Sequence, residues 1–217
     1  SLANGDQFVA VVVGLDREND LAVLKFEVPR GVRLKTIAFG SSSNLKVGQK
    51  VLAIDFDPQG NLSSGIGIEK ESIKNSVYDL LINGTNFYSV LQSTDIKNLD
   101  ILPTNVNLAG AEIELQDEEN RDTKLKEKVD AIKSEYDFII IDCPPSLSLL
   151  TINALTAADS VLIPIQCEYY ALEGLGQMVK TINLIRKRLN KKLTVEGVVF
   201  TMYDARTNLS QQVVESV

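Results

Sequence analysis

Three aspartates stand where predicted strands end, at positions that suit metal and phosphate chemistry. Asp55 and Asp57 follow one apolar run, Val51–Ile54, and Asp142 closes another, Phe138–Ile141. In an open sheet of parallel strands, ligands bind beyond the carboxyl ends of the strands. A carboxylate at such an end can hold Mg²⁺ through water. The alternative is that each Asp only caps the loop after it, but two acidic strand ends favour a metal–phosphate site.

The composition excludes several other kinds of site. The 217 residues are 44% hydrophobic and 24% charged, which is typical of a globular protein. Histidine is absent, which excludes Ser-His-Asp and Cys-His catalysis and every His-ligated metal site. Cys143 and Cys167 are too few for a disulfide framework, so we expect reduced, buried thiols. No secretory segment or membrane-spanning run is recognisable, so the expected location is cytoplasmic.

The charge is unevenly distributed and divides the chain into two predicted segments. The net charge is −7, so any contact with DNA must be a local patch. Residues 1–50 carry a net charge of +2 and residues 51–217 a net charge of −9. The first segment is β-rich, with apolar runs at 8–14, 20–26 and 34–39 separated by short turns. Such runs predict an antiparallel meander.

The second segment, residues 51–217, alternates strands with helices. The predicted strands are 51–55, 99–102, 138–141, 161–165 and 193–201, and the predicted helices are 71–83, 123–135 and 171–189. The run Phe138–Ile141 is apolar throughout, as expected of a strand that is buried on both faces of a parallel sheet. The alternation predicts an α/β fold with a doubly wound, mostly parallel sheet.

Five stretches of the second segment resemble the ParA/Soj group of chromosome- and plasmid-partitioning ATPases. They are DFDPQGN (55–61), NLAGAEIEL (107–115), YDFIIIDCPPSLSLLTINALTAAD (136–159), PIQCEYYALEGL (164–175) and TMYDARTNL (201–209). The resemblance implies a P-loop NTPase-like domain of the ParA/MinD class with ATP and Mg²⁺ as cofactors. It also implies an ATP-dependent homodimer, nonspecific DNA binding, and a ParB-type partner protein that stimulates hydrolysis.

The same resemblance implies roles for individual residues. Asp57 matches the switch I aspartate, which is catalytic through water activation and also coordinates the metal, and Asp142 matches the Walker B aspartate. Asp55 would lie beside them as part of the cofactor site. Residues 168–175 lie where such proteins contact their dimer partner, and Arg206 matches an arginine that contacts DNA.

The chain departs from the family at the phosphate-binding loop. No G-x-x-x-x-G-K-[ST] motif, whose amides and lysine hold the phosphates, occurs in it. The nearest stretch, residues 40–50, lacks the Gly-Lys-Ser/Thr ending. The chain also stops before the last strand and the Pro-Arg segment where the family holds the base. We therefore expect a partitioning-type module with little or no ATPase activity.

Residues 1–50 resemble a part of the HtrA/Deg trypsin-like serine proteases, around the stretch that carries their catalytic aspartate. Asp20 matches that position, but the chain has no histidine and no serine-bearing half of the barrel, so protease activity is excluded. The two resemblances meet at residues 48–54, and the hypothesis is a chimera joined within this stretch.

Two alternatives remain open at the level of the sequence. Five basic residues at 186–192 are either a DNA-contacting patch or a solvated helix end favoured by the macrodipole. The whole chain is either an ATPase module or a non-catalytic interaction module, with a protease remnant as a third reading. The oligomeric state with and without nucleotide discriminates between the first two, because only an ATPase changes it.

Overall fold

The computed structural model describes residues 10–16, 21–26, 48–167, 171–203 and 213. The chain divides into two compact units, Ser1–Asn44 and Leu45–Val217. In the first unit, strands β1 (Ala10–Asp16) and β2 (Leu21–Phe26) form an antiparallel hairpin. This confirms two of the three strands predicted there, and the third prediction, residues 34–39, lies outside the described residues.

The second unit alternates strands and helices, as the sequence predicts. Its strands are β3 (Val51–Asp55), β4 (Gln92–Ser93), β5 (Leu99–Leu102), β6 (Phe138–Asp142), β7 (Ser160–Gln166) and β8 (Thr194–Thr201). Its α-helices are α1 (Asn61–Gly65), α2 (Val77–Leu81), α3 (Phe87–Val90), α4 (Leu108–Glu114), α5 (Lys124–Ile132), α6 (Leu149–Ala157) and α7 (Ala171–Arg188). Single 3₁₀ turns cover Lys70–Ser72 and Lys133–Glu135.

The central sheet has the strand order β4-β5-β3-β6. Strand β3 pairs in parallel with β5 on one side and with β6 on the other, while the short β4 is antiparallel to β5. Four of the five residues of β3 are buried, because it has a strand on each side and helices packed over it. The α/β architecture with a mostly parallel sheet is therefore confirmed.

Strands β7 and β8 form a separate parallel pair. Ile163 and Ile165 of β7 pack with Ile182 and Ile185 of α7 in a second core cluster. The larger cluster lies around β3 and takes its side chains from α2, α4, α5 and α6. Helix α6 contributes to both clusters, so it connects the two sheets.

The prediction that residues 138–141 are buried on both faces is wrong. In β6, Ile139 and Ile141 are half-buried, whereas Phe138 and Ile140 are 51% and 58% exposed. The reason is position: β6 is at the edge of its sheet, and helices cover only the face on which Ile139 and Ile141 lie. An apolar strand of this kind is ordinarily central in a parallel sheet.

The predicted helix 71–83 is also shorter than expected. Asp79 accepts hydrogen bonds from the N–H of Ser76 (2.8 Å) and from its Oγ (3.0 Å), which starts α2 at Val77. Helix α6, whose buried residues include Thr151 and Asn153, was not predicted from the sequence. Asn153 donates to backbone carbonyls at 2.6 and 3.1 Å and accepts from the N–H of Leu125 at 3.2 Å. These bonds compensate the burial of its amide.

No described helix combines the length and apolar character that crossing a bilayer requires. Both cysteines are free thiols, Cys167 buried and Cys143 half-buried.

Candidate functional site

The register of the central sheet brings two of the predicted acids side by side. Asp55 of β3 pairs with Asp142 of β6, both at the carboxyl ends of their strands. Just beyond them the N–H of Phe56 donates to the carbonyl of Asp142 at 2.8 Å, so the strands are still joined where the site begins. The expectation that both strand ends meet at one edge is therefore confirmed.

Asp55 is completely buried and engaged by the protein itself. One of its oxygens accepts from both the N–H (2.7 Å) and the Oγ (2.6 Å) of Ser63. The Ser63 Oγ accepts in turn from the N–H of Thr104 at 3.2 Å. A buried carboxylate needs such donors because water cannot reach it. Asp55 therefore ties the start of α1 and the loop after β5 to the end of β3.

The loop that carries Asp57 is held in a tight turn. The carboxylate of Asp57 accepts from the N–H of Gln59 (3.0 Å), and its carbonyl accepts from the N–H of Gly60 (2.9 Å). The ammonium of Lys70 donates to the carbonyl of Gln59 at 2.5 Å. Gly60 has a φ of 64°, and a Cβ there would lie 3.2 Å from Cε of Lys70 and 3.3 Å from the carbonyl oxygen of Thr104. Asp57 is thus positioned, half-buried, at the sheet edge.

Asp142 is the exposed member of the group. Partial burial of its carboxyl, together with the negative charges of Asp55 and Asp57, raises its pKa above 3.8. The neighbouring Cys143 has its pKa raised to about 12 by burial and by the charges of Asp142 and Asp57. Its thiol therefore stays protonated at neutral pH and is a poor nucleophile.

This donor set suits part of a magnesium site. Carboxylates are preferred Mg²⁺ ligands, and Mg²⁺ is commonly held by one or two of them together with water and phosphate oxygens. Asp57 and Asp142 supply two such groups, and within the described residues neither forms an ion pair. Among all the described residues, no cluster of three or more Asp, Glu, Cys or His side chains could hold a metal ion by itself. The remaining ligands would come from a phosphate and water.

Three of the predicted functional segments lie wholly or partly outside the described residues. Arg206 and residues 168–170 lie outside the described residues, as does most of the 40–50 stretch. The basic side chains at 186–188 and 191–192 are all exposed around the end of α7.

Sequence reasoning missed Ser63, Thr104, Gly60 and Lys70, which build the site without being ligands. Only Gly60 carried a usable signal, because the Asp-Pro-Gln-Gly sequence is typical of a tight turn. The other three depend on contacts between segments far apart in the chain, such as the one between Ser63 and Thr104.

Comparisons with known proteins agree on the family of the second unit. A family model described as an AAA domain matches residues 31–195. The sporulation initiation inhibitor protein Soj of Bacillus subtilis is 55% identical over 171 residues, which are 79% of this chain and 68% of that protein. The chromosome-partitioning ATPase Soj of Treponema pallidum is 47% identical over 188 residues, 86% of this chain and 73% of that protein.

A solved structure shows the same architecture. Cobyrinic acid a,c-diamide synthase from Mycobacterium smegmatis, with bound ATP analogue and magnesium, superimposes with a TM-score of 0.74 at 39% identity. The superposition covers 78% of this chain and 69% of that one. The chain thus spans roughly two thirds of the length of the proteins it matches. The family match begins at residue 31, so it includes part of the segment 1–50, and the boundary at residue 51 stays a prediction.

Gly60→Ala should destabilise the fold more than Gly84→Ala. The two glycines have almost the same positive φ (64° and 66°), so a left-handed alanine costs each variant about 1–2 kcal/mol. Only Gly60 has close neighbours, and displacing them should add about 1–2 kcal/mol. Urea unfolding of both variants measures the difference, and equal losses would show that the contacts with Lys70 and Thr104 do not constrain the loop.

Asp142→Asn should stabilise the protein at neutral pH. Because the folded-state pKa of Asp142 is raised, the folded state binds its proton more tightly than the unfolded state does. Ionisation of Asp142 therefore lowers the free energy of unfolding as the pH rises from 3.8 through the raised folded-state pKa. Asparagine does not ionise, so the substitution removes this loss. The stability gained by Asp142→Asn over the wild type should therefore be greatest near pH 7 and shrink as the pH falls toward 3.8. Urea midpoints measured across this range test the trend, and a gain independent of pH would contradict it.

Proposed function

Because this chain belongs to the ParA/Soj family of chromosome-partitioning proteins, we propose that its second unit is a partitioning-type nucleotide module. The observation that carries the proposal is the acidic edge where Asp55 and Asp142 lie in register, with Asp57 in the turn that follows. The edge falls inside the matched family region. It supports a site for Mg²⁺ together with the phosphates of ATP.

In this proposal the three aspartates have different roles. Asp57 and Asp142 would hold the metal, directly or through water, because they are the accessible members of the group. Asp57 would also orient the attacking water. Asp55 supports the site from beneath, since its carboxylate is occupied by Ser63. The cation, when bound, would neutralise phosphate charge and offset the repulsion from Asp55 and Asp57 that, after burial, raises the pKa of Asp142.

A further part of the proposal concerns how the chain would bind the phosphates of ATP. The sequence contains no G-x-x-x-x-G-K-[ST] motif, so the backbone cradle and the lysine that usually hold the β- and γ-phosphates have no counterpart of that form. Without them the negative charge of ATP would face an acidic edge with little compensation. We propose that the chain hydrolyses ATP slowly or not at all.

The proposed partners follow the family. In its intact form the module would dimerise when ATP binds, coat DNA without sequence preference through Arg206, and respond to a ParB-type protein. The exposed cations at 186–188 and 191–192 are a second source of phosphate contacts at the end of α7. Binding of this kind is electrostatic and falls steeply with salt.

A second candidate is a non-catalytic interaction module, favoured by the same absence of the phosphate-loop motif from the sequence. The chimera hypothesis belongs with it: residues 1–50 would derive from an HtrA/Deg-type barrel. Its support is the sequence resemblance alone, and Asp20 lies outside the described residues. A protein of this kind would keep the same oligomeric state with and without nucleotide.

Titration with a fluorescent ATP analogue tests the nucleotide site. If the absent motif is decisive, we expect no saturable binding with or without Mg²⁺. Magnesium-dependent binding that Asp57→Ala and Asp142→Ala both weaken would show that the acidic edge works and that another part of the chain supplies the phosphate contacts. Glu112→Ala, at a half-buried position of α4, is the matched control, because it removes a carboxylate away from the β3 and β6 strand ends.

Arg206→Glu should abolish residual DNA binding. At low salt, fluorescence anisotropy with a short random-sequence duplex should detect weak binding to the unmodified chain, declining with added salt. Lys97→Glu makes the same charge change at an exposed site between β4 and β5 and should leave this binding almost unaltered. Retained binding by Arg206→Glu would refute the role of this arginine.

A further inference from the structure

An Asn-Gly pair, Asn83-Gly84, lies on the surface just after helix α2. Asparagine is chemically labile, because the backbone nitrogen of the next residue can attack the carbon of its side-chain amide. Glycine in the next position favours this attack, since it has no side chain in the way and its backbone turns freely. The sequence contains one other such pair, Asn4-Gly5, which lies outside the described residues. Asn83 is therefore the described asparagine with the most reactive sequence context.

The backbone around Asn83 leaves the attacking nitrogen accessible. Asn83 lies two residues beyond the last residue of α2, and both Asn83 and Gly84 are exposed. The N–H groups of Asn83 and Thr85 both donate to the carbonyl of Asp79 at 3.1 Å. The N–H of Gly84 between them donates to no backbone carbonyl of the described residues. Among those residues, apart from the chain neighbours of Gly84, no heavy atom lies within 4 Å of the position that a Cβ would take there.

The carboxylate of Asp79 contacts the residues at both ends of α2. One of its oxygens accepts from the N–H (2.8 Å) and the Oγ (3.0 Å) of Ser76, which precedes the helix. The other oxygen accepts from the side-chain amide of Asn83 at 2.9 Å. Partial burial opposes the ionisation of Asp79, but hydrogen bonds, above all those from Ser76 and Asn83, outweigh it and lower its pKa below 3.8. Asp79 is therefore a carboxylate at neutral pH, and Asn83 is one of its neutral donors.

We propose that Asn83 deamidates spontaneously in the folded protein and that the product loosens α2. The backbone nitrogen of Gly84 forms a bond to the side-chain amide carbon of Asn83 and loses its proton. The bond from that carbon to Nδ2 breaks, and the amide group takes up the proton and leaves as ammonia. Water then opens the cyclic imide at either of its carbonyls, which gives aspartate or isoaspartate at position 83. Nothing is oxidised or reduced, and the reaction does not depend on the nucleotide site.

The product replaces an attraction to Asp79 by a repulsion. A carboxylate at position 83 donates no hydrogen bond, so Asp79 loses one of its donors. Two negative charges four residues apart also repel each other. Isoaspartate in addition lengthens the backbone before Gly84 by one methylene, which displaces the N–H of Thr85 from the carbonyl of Asp79. The end of α2 should therefore open more often, although three of its side chains are buried in the larger core cluster.

Peptide mapping by mass spectrometry, after the full chain has aged in warm, mildly alkaline buffer, tests the reaction. We expect the peptide that carries Asn83 to gain about 1 Da and to become a substrate for isoaspartyl methyltransferase. Asn120 is the internal control: it is exposed and its amide donates to Glu127 at 3.1 Å, but Arg121 follows it, and the N–H of Arg121 donates to the carbonyl of Glu118. Asn120 should react at least about tenfold more slowly. Equal rates at the two positions, or conversion of Asn83 only when urea unfolds the chain, would overturn the proposal.

Two variants test the effect of the product on α2. Asn83→Ala and Asn83→Asp both remove the hydrogen bond to Asp79, but only Asn83→Asp adds the like charge. We expect faster hydrogen exchange of the Leu80 and Ile82 amides in both, with rates about twofold higher in Asn83→Asp than in Asn83→Ala. Added salt should reduce this difference, because it screens exposed charges. Asn120→Asp adds the same charge in the turn before α5 and should leave these amides almost unaltered. Exchange as slow in Asn83→Asp as in the unmodified chain would overturn the proposed loosening of α2.

Discussion

The buried carboxylate of Asp55 is the constraint on which the candidate site depends. It has no access to water, so it requires donors from the protein, and Ser63 supplies both its N–H and its hydroxyl. This requirement fixes the first turn of α1 against the end of β3. Because the Ser63 hydroxyl also accepts from Thr104, the loop after β5 is fixed by the same group. The turn that carries Asp57 lies between these anchors and inherits its position from them.

The electrostatics of the edge follow from this arrangement. Burial of the Asp142 carboxyl, and after it the negative charges of Asp55 and Asp57, raise the pKa of Asp142. Hydrogen bonds within the turn neutralise little of the charge, because they come from neutral amides. The edge therefore concentrates negative charge, as the proposed cation site requires.

Incomplete coverage is the second physical feature of the unit. Strand β3 is buried as a central parallel strand should be, whereas β6, with the more uniformly apolar sequence, is half exposed at an edge. Helix α6 packs in both core clusters with an almost wholly buried surface. Strand β6 consequently ends in Asp142 at the site edge and exposes Ile140 on its uncovered face.

The sequence alone determined the acidic strand ends and the types of the elements that were predicted from it, although it did not reveal α6. Apolar runs such as Val51–Ile54 and the helical spacing in 171–189 are local patterns, which fold in the same way wherever they pack. The neighbours of each strand were decided only by the tertiary structure. An apolar run such as Phe138–Ile141 has the same sequence pattern whether it lies at the centre of a sheet or at its edge, because its burial depends on distant segments. The tertiary structure also decided the roles of Ser63, Thr104 and Lys70. They depend on hydrogen bonds between residues that are 8 to 41 positions apart in the chain, which local spacing does not encode.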